Sequence, residues 1–219
     1  MKKNLHYSLI AVLAILFTSC ASSYKPIKPP SVSYIKTVED STITFSYQYR
    51  ALRIARNGKY ARKEEKKGVK VVAIKITNHS DQFVTFNKNL KLYAGGQEIK
   101  PLDPLFAYKQ LKQKSAIYLL YAPLTLLRLY FYSTDQYGNS TVTNSFPIGY
   151  AIGPGLVIRN MVVAGNANKR FLEELGKYSL INREIKPGET VYGLVCIQDF
   201  NYDPLSVKLK PYSPLGNGF

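Results

Sequence analysis

The chain has 219 residues, with 30 Lys and Arg against 14 Asp and Glu, a formal charge of +16, two cysteines, two histidines and no tryptophan. That length carries one domain with a sizeable core, and two cysteines exclude a disulfide scaffold. Two histidines remove most His-based zinc sites and argue against a Ser-His-Asp triad, and no repeated Cys pair, Gly-rich phosphate loop or G-x-S-x-G elbow occurs, so neither a metal nor a cofactor is expected.

Lys2 and Lys3 precede a continuous apolar run from Leu9 to Phe17. The run is too short for the ~30 Å hydrocarbon core, which needs about 20 helical residues, and reads as a secretory signal over residues 1–19. It ends in Phe17-Thr18-Ser19-Cys20, which resembles the bacterial lipobox, with Phe17 where Leu is usual. The resemblance implies that the thiol of Cys20 accepts a diacylglyceryl group and that the cleaved chain begins there, held by acyl chains that each add about 0.8 kcal/mol per buried methylene. It further implies a cell-envelope lipoprotein. Ala21 is not the Asp that retains lipoproteins at the inner membrane, which favours the outer membrane, and Ala21-Ser22-Ser23-Tyr24-Lys25 lacks the acidic cluster associated with surface export, which favours its periplasmic face.

Loss of Lys2 and Lys3 from the +16 chain leaves +14. In a cytosolic protein that charge would suggest nucleic acid. Export redirects it to anionic headgroups, lipopolysaccharide phosphates or acidic polymers, and no nucleic-acid partner is expected.

Residues 20–41 read as a lipidated tether, because Pro26, Pro29 and Pro30 favour extended geometry and Lys25 and Lys28 keep it solvated. Thr42 to Leu52 alternates with period two, placing Ile43, Phe45, Tyr47, Tyr49 and Ala51 on one face of a strand. Arg53 to Lys70 is the densest cationic stretch. Arg53, Arg56, Lys59, Arg62, Lys63, Lys66 and Lys67 are candidate contacts to an anionic surface, on a solvated loop or hairpin end. Val69 to Thr77 is a second strand with Val72, Ile74 and Ile76 inward, and Asn78-His79-Ser80-Asp81 is a turn. Gln82–Phe86, Leu90–Tyr93 and Glu98–Lys100 are short strands, the last two joined by a hairpin turn at Gly95-Gly96.

Residues 103–185 read as a helical, apolar insertion. Asp103-Pro104 supplies an N-cap acceptor and a proline at the first helical position. In Ala116 to Tyr132, Leu120, Leu124, Leu127 and Phe131 recur at helical spacing, a stripe that is either core or a face for a membrane or partner. Ser133 to Ser145 is a polar connector. Phe146 to Gly165 is apolar but broken by Pro147, Gly149, Gly153, Pro154 and Gly155, and Asn166 to Leu175 is a short amphipathic helix stopped by Gly176. After the Pro187-Gly188 turn, Thr190–Asp199 and Leu205–Leu209 are strands, and Cys196 within the first is a buried, inert thiol.

Residues 42–102 and 186–210, with Asn78 closing one strand and Lys186-Pro187-Gly188-Glu189 opening another, resemble the immunoglobulin-like domains of exported bacterial proteins. The expected fold is therefore mainly β: an antiparallel immunoglobulin-like sandwich with a helical insertion, α+β overall, and a tail at 211–219. Such domains share no catalytic residues, so none is assigned. The expected role is non-catalytic: a structural or interaction module that binds an envelope protein or an anionic envelope polymer, with eighteen tyrosines available for contacts. Three alternatives stand beside it: an envelope hydrolase built on dispersed carboxylates, a module that dips residues 116–165 into the membrane, and a carbohydrate binder stacking sugars on tyrosine, which the absence of tryptophan disfavours.

Overall fold

The computed structural model describes residues 20–34, 36–39 and 42–210; the signal read over 1–19 and the tail 211–219 lie outside these. The fold is mixed α+β with antiparallel sheets. It divides into two compact units, a β-rich one of Tyr24–Lys112 with 168–210, and an apolar one of 20–23 with Gln113–Ala167.

In the β-rich unit, β1 (Lys36–Glu39) pairs with β2 (Ile43–Gln48), β2 with β3 (Val69–Asn78), and β3 with β10 (Thr190–Gln198), all antiparallel. Register sets Phe45 opposite Ile76 and Val72 opposite Val195, so the period-two apolar residues share one face. A second sheet runs β11 (Leu205–Leu209), β5 (Leu90–Ala94), β6 (Gln97–Ile99), and a third pairs β4 (Val84–Thr85) with β9 (Glu184–Ile185). Phe45, Ile74, Ile76, Leu90, Leu92, Ile185 and Leu205 belong to one buried cluster that joins all three sheets. The expected hairpin turn is present, with Gly95 at φ 55° and Gly96 at φ 84°.

The opposite face of β3 is also buried, at Val69, Val71 and Ala73. Two short helices, α1 (Ala51–Ile54) and α2 (Gly58–Lys67), lie between β2 and β3. The cationic stretch is thus helical, not the solvated loop its charge suggests. Tyr60, Ala61 and Glu64 recur at helical spacing and are buried, which fixes the helix from its inner side. Helix α3 (Pro104–Leu111) starts where Asp103 predicts, its carboxylate accepting from the amides of Leu105 and Phe106 at 2.9 and 3.0 Å.

Over 24–34 the Pro-rich segment, which includes a 3₁₀ turn η1 (Pro29–Ser31), is docked rather than extended into solvent. Tyr24 and Ile27 are buried. The Tyr24 hydroxyl donates to Glu174 at 2.5 Å, the Ile27 and Lys28 amides donate to the same carboxylate, and Asn57 bonds both backbone groups of Lys25. The rings of Tyr24, Tyr60 and Phe171 meet at centroid distances of 4.7–5.5 Å. Prolines fix φ here, but two apolar side chains supply enough burial to hold the segment down.

The apolar unit departs most from expectation. Ala116 to Tyr132 is not one helix: it divides into a 3₁₀ segment, η2 (Ser115–Leu126), and a strand, β7 (Leu129–Thr134). Pro123 lies inside η2, where a missing amide costs less than it would in a long α-helix. The expected polar connector forms the hairpin arm β8 (Ser140–Phe146), paired to β7. The Gly- and Pro-rich run that follows is part of one continuous helix, α4 (Ile148–Lys177), whose last ten residues belong to the β-rich unit. Gly149 and Gly153 are contact positions there, not breaks. A Cβ on Gly149 would sit 2.3 Å from the Leu124 carbonyl oxygen, and one on Gly153 would sit 2.5 Å from the Thr125 side chain.

Candidate functional site

Cys20 is half-buried in the apolar unit, and no disulfide joins it to Cys196. The residues that follow it are pinned. The Ala21 amide donates to Asn160 Oδ1 at 2.7 Å, and Asn160 Nδ2 donates to the Leu156 carbonyl at 2.8 Å. Gln113 closes a pair with Ser22, accepting from its amide at 3.2 Å and donating to its carbonyl at 2.7 Å. Cys196 is buried in β10, and burial pushes its thiol up to about 12, so it stays protonated and inert.

The apolar unit has a small interior of Tyr118, Tyr121 and Ala164, with Leu124, Val157 and Met161 packed against it. Much of its apolar surface faces out. Leu120 is 74% exposed, Leu126 77% and Phe131 51%. Of the stripe expected at Leu120, Leu124, Leu127 and Phe131, only Leu124 is turned partly inward. Leu120 lies in η2, Leu127 caps it and Phe131 lies in β7, so the four share no helical face. Tyr150, Ile158 and Val162 add an exposed apolar face on α4 that the sequence reading missed. Their i, i+4 recurrence from Tyr150 through Pro154 was the available signal, masked by the Gly and Pro count.

The second surface is cationic and lies on α1 and α2. On α2, Lys59, Arg62, Lys63 and Lys66 recur at i, i+3, i+4 and i+7, on the side away from Tyr60, Ala61 and Glu64. Lys63 Nζ donates to the Lys112 carbonyl, and Arg62 Nε to the Gly58 carbonyl at 3.3 Å. Arg53 on α1 pairs with Glu65 at 2.6 Å, with both side chains about half exposed; Arg56 and Lys67 are exposed at the helix ends. Lys70, at the end of the same stretch, is buried, with Nζ 4.0 Å from the centre of the Tyr202 ring.

The buried carboxylates are engaged as internal acceptors. Glu64 takes the Val71 amide at 2.6 Å, and burial pushes its carboxyl up to about 8. Glu174 takes the three donors of the docked segment. Asp199 takes the amides of Asn201, Tyr202 and Asp203 and the hydroxyl of Tyr49. Among the described residues no group of three His, Cys, Asp or Glu is placed to hold a metal ion, and His79 Nε2 is 2.9 Å from Thr44 Oγ1. A 460 Å³ cleft is lined by Pro26, Ile27, Val32, Gln48 and Ala51, and a 390 Å³ one by Lys28, Arg170, Glu173 and Lys177. The first is mainly apolar and the second mixes both signs of charge. Comparison with protein-family models, curated proteins and solved structures finds no match to this chain.

Proposed function

We propose that the protein is an envelope lipoprotein, held by acyl chains on Cys20 at the outer membrane facing the periplasm. The folded chain serves as a non-catalytic interaction module whose ligand is an anionic, phosphate- or carboxylate-bearing envelope component. The observation that carries the binding role is the α2 stripe of Lys59, Arg62, Lys63 and Lys66, presented on one side of a helix whose other side is buried. Basic residues near an anionic surface contribute about 1 kcal/mol each, and their attraction is screened within a Debye length.

The test compares the parent chain with the Lys59→Gln, Arg62→Gln, Lys66→Gln triple variant on lipopolysaccharide and on polyphosphate, at low and physiological salt. Three cations at about 1 kcal/mol each predict binding about 100-fold weaker at low salt. Equal affinity of variant and parent sinks the anionic-ligand reading. Partner capture in cells that is indifferent to the substitution favours an envelope protein instead. For the anchor, Cys20→Ala moves the protein out of acylated form, and an unchanged acyl mass would exclude Cys20 as the attachment point.

At the level of architecture we infer a sandwich of the immunoglobulin-like type. Four strands and three strands around a common apolar cluster support it. The consecutive neighbours β1-β2-β3 form a meander, so the likeness is to the two-sheet architecture and not to the Greek-key strand order of immunoglobulin domains.

A further inference from the structure

Residues 113–167 contain only four charged side chains: Lys114, Arg128, Arg159 and Asp135. Among the described residues this unit exposes 15 large hydrophobic side chains, against six in the β-rich unit. They lie on η2, on the hairpin and on α4. Every residue of β7 and β8 is exposed, so both faces of the hairpin are open, and a two-stranded hairpin without a covering layer is marginal in water. Helix α4 is long and apolar enough, by length and composition, to cross a membrane, and only a quarter of its most apolar stretch is buried. A helix apolar on both sides needs an apolar neighbour.

We propose that this unit is seated in the interfacial layer of the bilayer that carries the Cys20 anchor, with lipid occupying its apolar surface. The choice of membrane rests on the acylation of Cys20; the exposed surface does not. Lipid suits the surface better than a protein partner for two reasons. The exposed side chains cover both faces of the hairpin as well as η2 and α4, whereas a protein partner would cover one face. Three cations against one acid also match anionic headgroups. The described chain begins inside this unit at Cys20, and Ala21 and Ser22 are hydrogen-bonded to Asn160 and Gln113, so acyl chains would leave from the unit itself.

Depth follows from the backbone. The outer edges of a two-stranded sheet leave amide and carbonyl groups without partners, which hydrocarbon does not tolerate. The hairpin therefore lies at headgroup level, where Tyr130 and Tyr132 suit the environment. Its tip is polar: Asp135 Oδ1 accepts the amides of Tyr137 and Asn139 at 2.9 and 2.8 Å, and those amide bonds, that of Asn139 first, hold its carboxyl below the usual range. On α4, Arg159 is exposed beside Ile158 and disfavours a position at the bilayer centre, so the helix lies along the surface instead of crossing it.

The chain has no tryptophan, so a single introduced one reports cleanly. Full-length Leu126→Trp, Phe131→Trp and, in the β-rich unit, Phe200→Trp are reconstituted into phosphatidylethanolamine–phosphatidylglycerol vesicles with brominated acyl chains. All three positions are exposed, and far-UV circular dichroism checks each fold. The expected result is blue-shifted emission and severalfold stronger quenching at 126 and 131 than at 200. Three equally water-like reporters overturn the proposal. So do reporters at 126 and 131 shielded from both iodide and bromolipid in a particle of doubled mass, which would assign the surface to a second copy. Mass spectrometry of the same samples reads acylation separately. Acylated protein with water-like reporters removes this inference and leaves the anchor; unacylated protein with quenched reporters does the reverse.

Discussion

Phe45 and Phe131 both lie on antiparallel strands, yet Phe45 is fully buried and Phe131 is 51% exposed. The first sits where two sheets close on a common cluster; the second sits on a hairpin that, among the described residues, no other strand or helix covers. The β-rich unit solves its burial problem internally, with three sheets on one cluster and helices over the other face of β3. The apolar unit has a hydrophobic cluster of only three buried residues and a larger apolar exterior. Low charge in a stretch of sequence therefore does not mean core. Here it marks the part of the chain that leaves most of its hydrophobic surface exposed.

The sharpest way to break that contrast is to truncate both rings. Phe45→Ala removes a wholly buried aromatic and is expected to cost about 3–5 kcal/mol, read as a drop in denaturant midpoint at unchanged slope. Phe131→Ala in water is expected to fall within about 0.5 kcal/mol of the parent, since its ring already faces solvent. A large loss at Phe131 would mean that the hairpin is packed in solution and that the two units do not differ as described.

The β-rich unit was legible because its signals are local and periodic. Ile43, Phe45 and Tyr47 alternate, Gly95-Gly96 supplies positive φ, and Asp103-Pro104 starts a helix as the residue types dictate. Legibility failed where one property hid another. Charge hid the α2 helix, because only Tyr60, Ala61 and Glu64 face inward among many cations. Glycine and proline hid α4, because Gly149 and Gly153 serve close approach to Leu124 and Thr125 and not chain reversal. A helical repeat of leucines was read through Pro123 into what is a 3₁₀ segment and a strand. For the docked segment, no local signal tells that Tyr24 meets a glutamate 150 residues on. The candidate cations were all visible as residues, but their collection onto one helical side was not.

The next effect concerns the charged groups that the β-rich unit buries. Glu64 has an unfolded value near 4.5 and a folded value of about 8, raised first by burial, against the opposing Val71 amide and Lys70 charge. Between those values the folded state holds a proton that the unfolded state has lost, so stability falls as pH rises from about 4.5 to 8 and is flat above. Glu64→Gln keeps an oxygen for the Val71 amide and removes the titration. It is expected to stabilise the protein by about 2 kcal/mol at pH 9, less than half of the roughly 5 kcal/mol that about 1.4 kcal/mol per unit would give, because local relaxation lets water reach the charged carboxylate, and to leave it near parent stability at pH 4. Melting temperature across that range checks it. A variant whose profile parallels the parent's would show that Glu64 titrates normally and that water reaches it.

The smallest effect belongs to α3, the last element of the β-rich unit before the chain passes into the apolar one. Its first amides have one side-chain acceptor, Asp103, and Pro104 has no amide to satisfy. Asp103→Ala leaves the amides of Leu105 and Phe106 to water and is expected to cost about 1 kcal/mol. Asp103→Asn keeps an oxygen in the same place and loses only the charge facing the helix N-terminus, worth about 0.3–1 kcal/mol at an exposed site. Denaturant midpoints should therefore order parent, Asn, Ala, and added salt should narrow the gap between parent and Asn while leaving the gap between Asn and Ala. If both variants match the parent, the first turn of α3 is already fixed by the burial of Ala107 and Leu111. The start of this helix would then be held by packing alone, a resource more plentiful in the β-rich unit than in the apolar one.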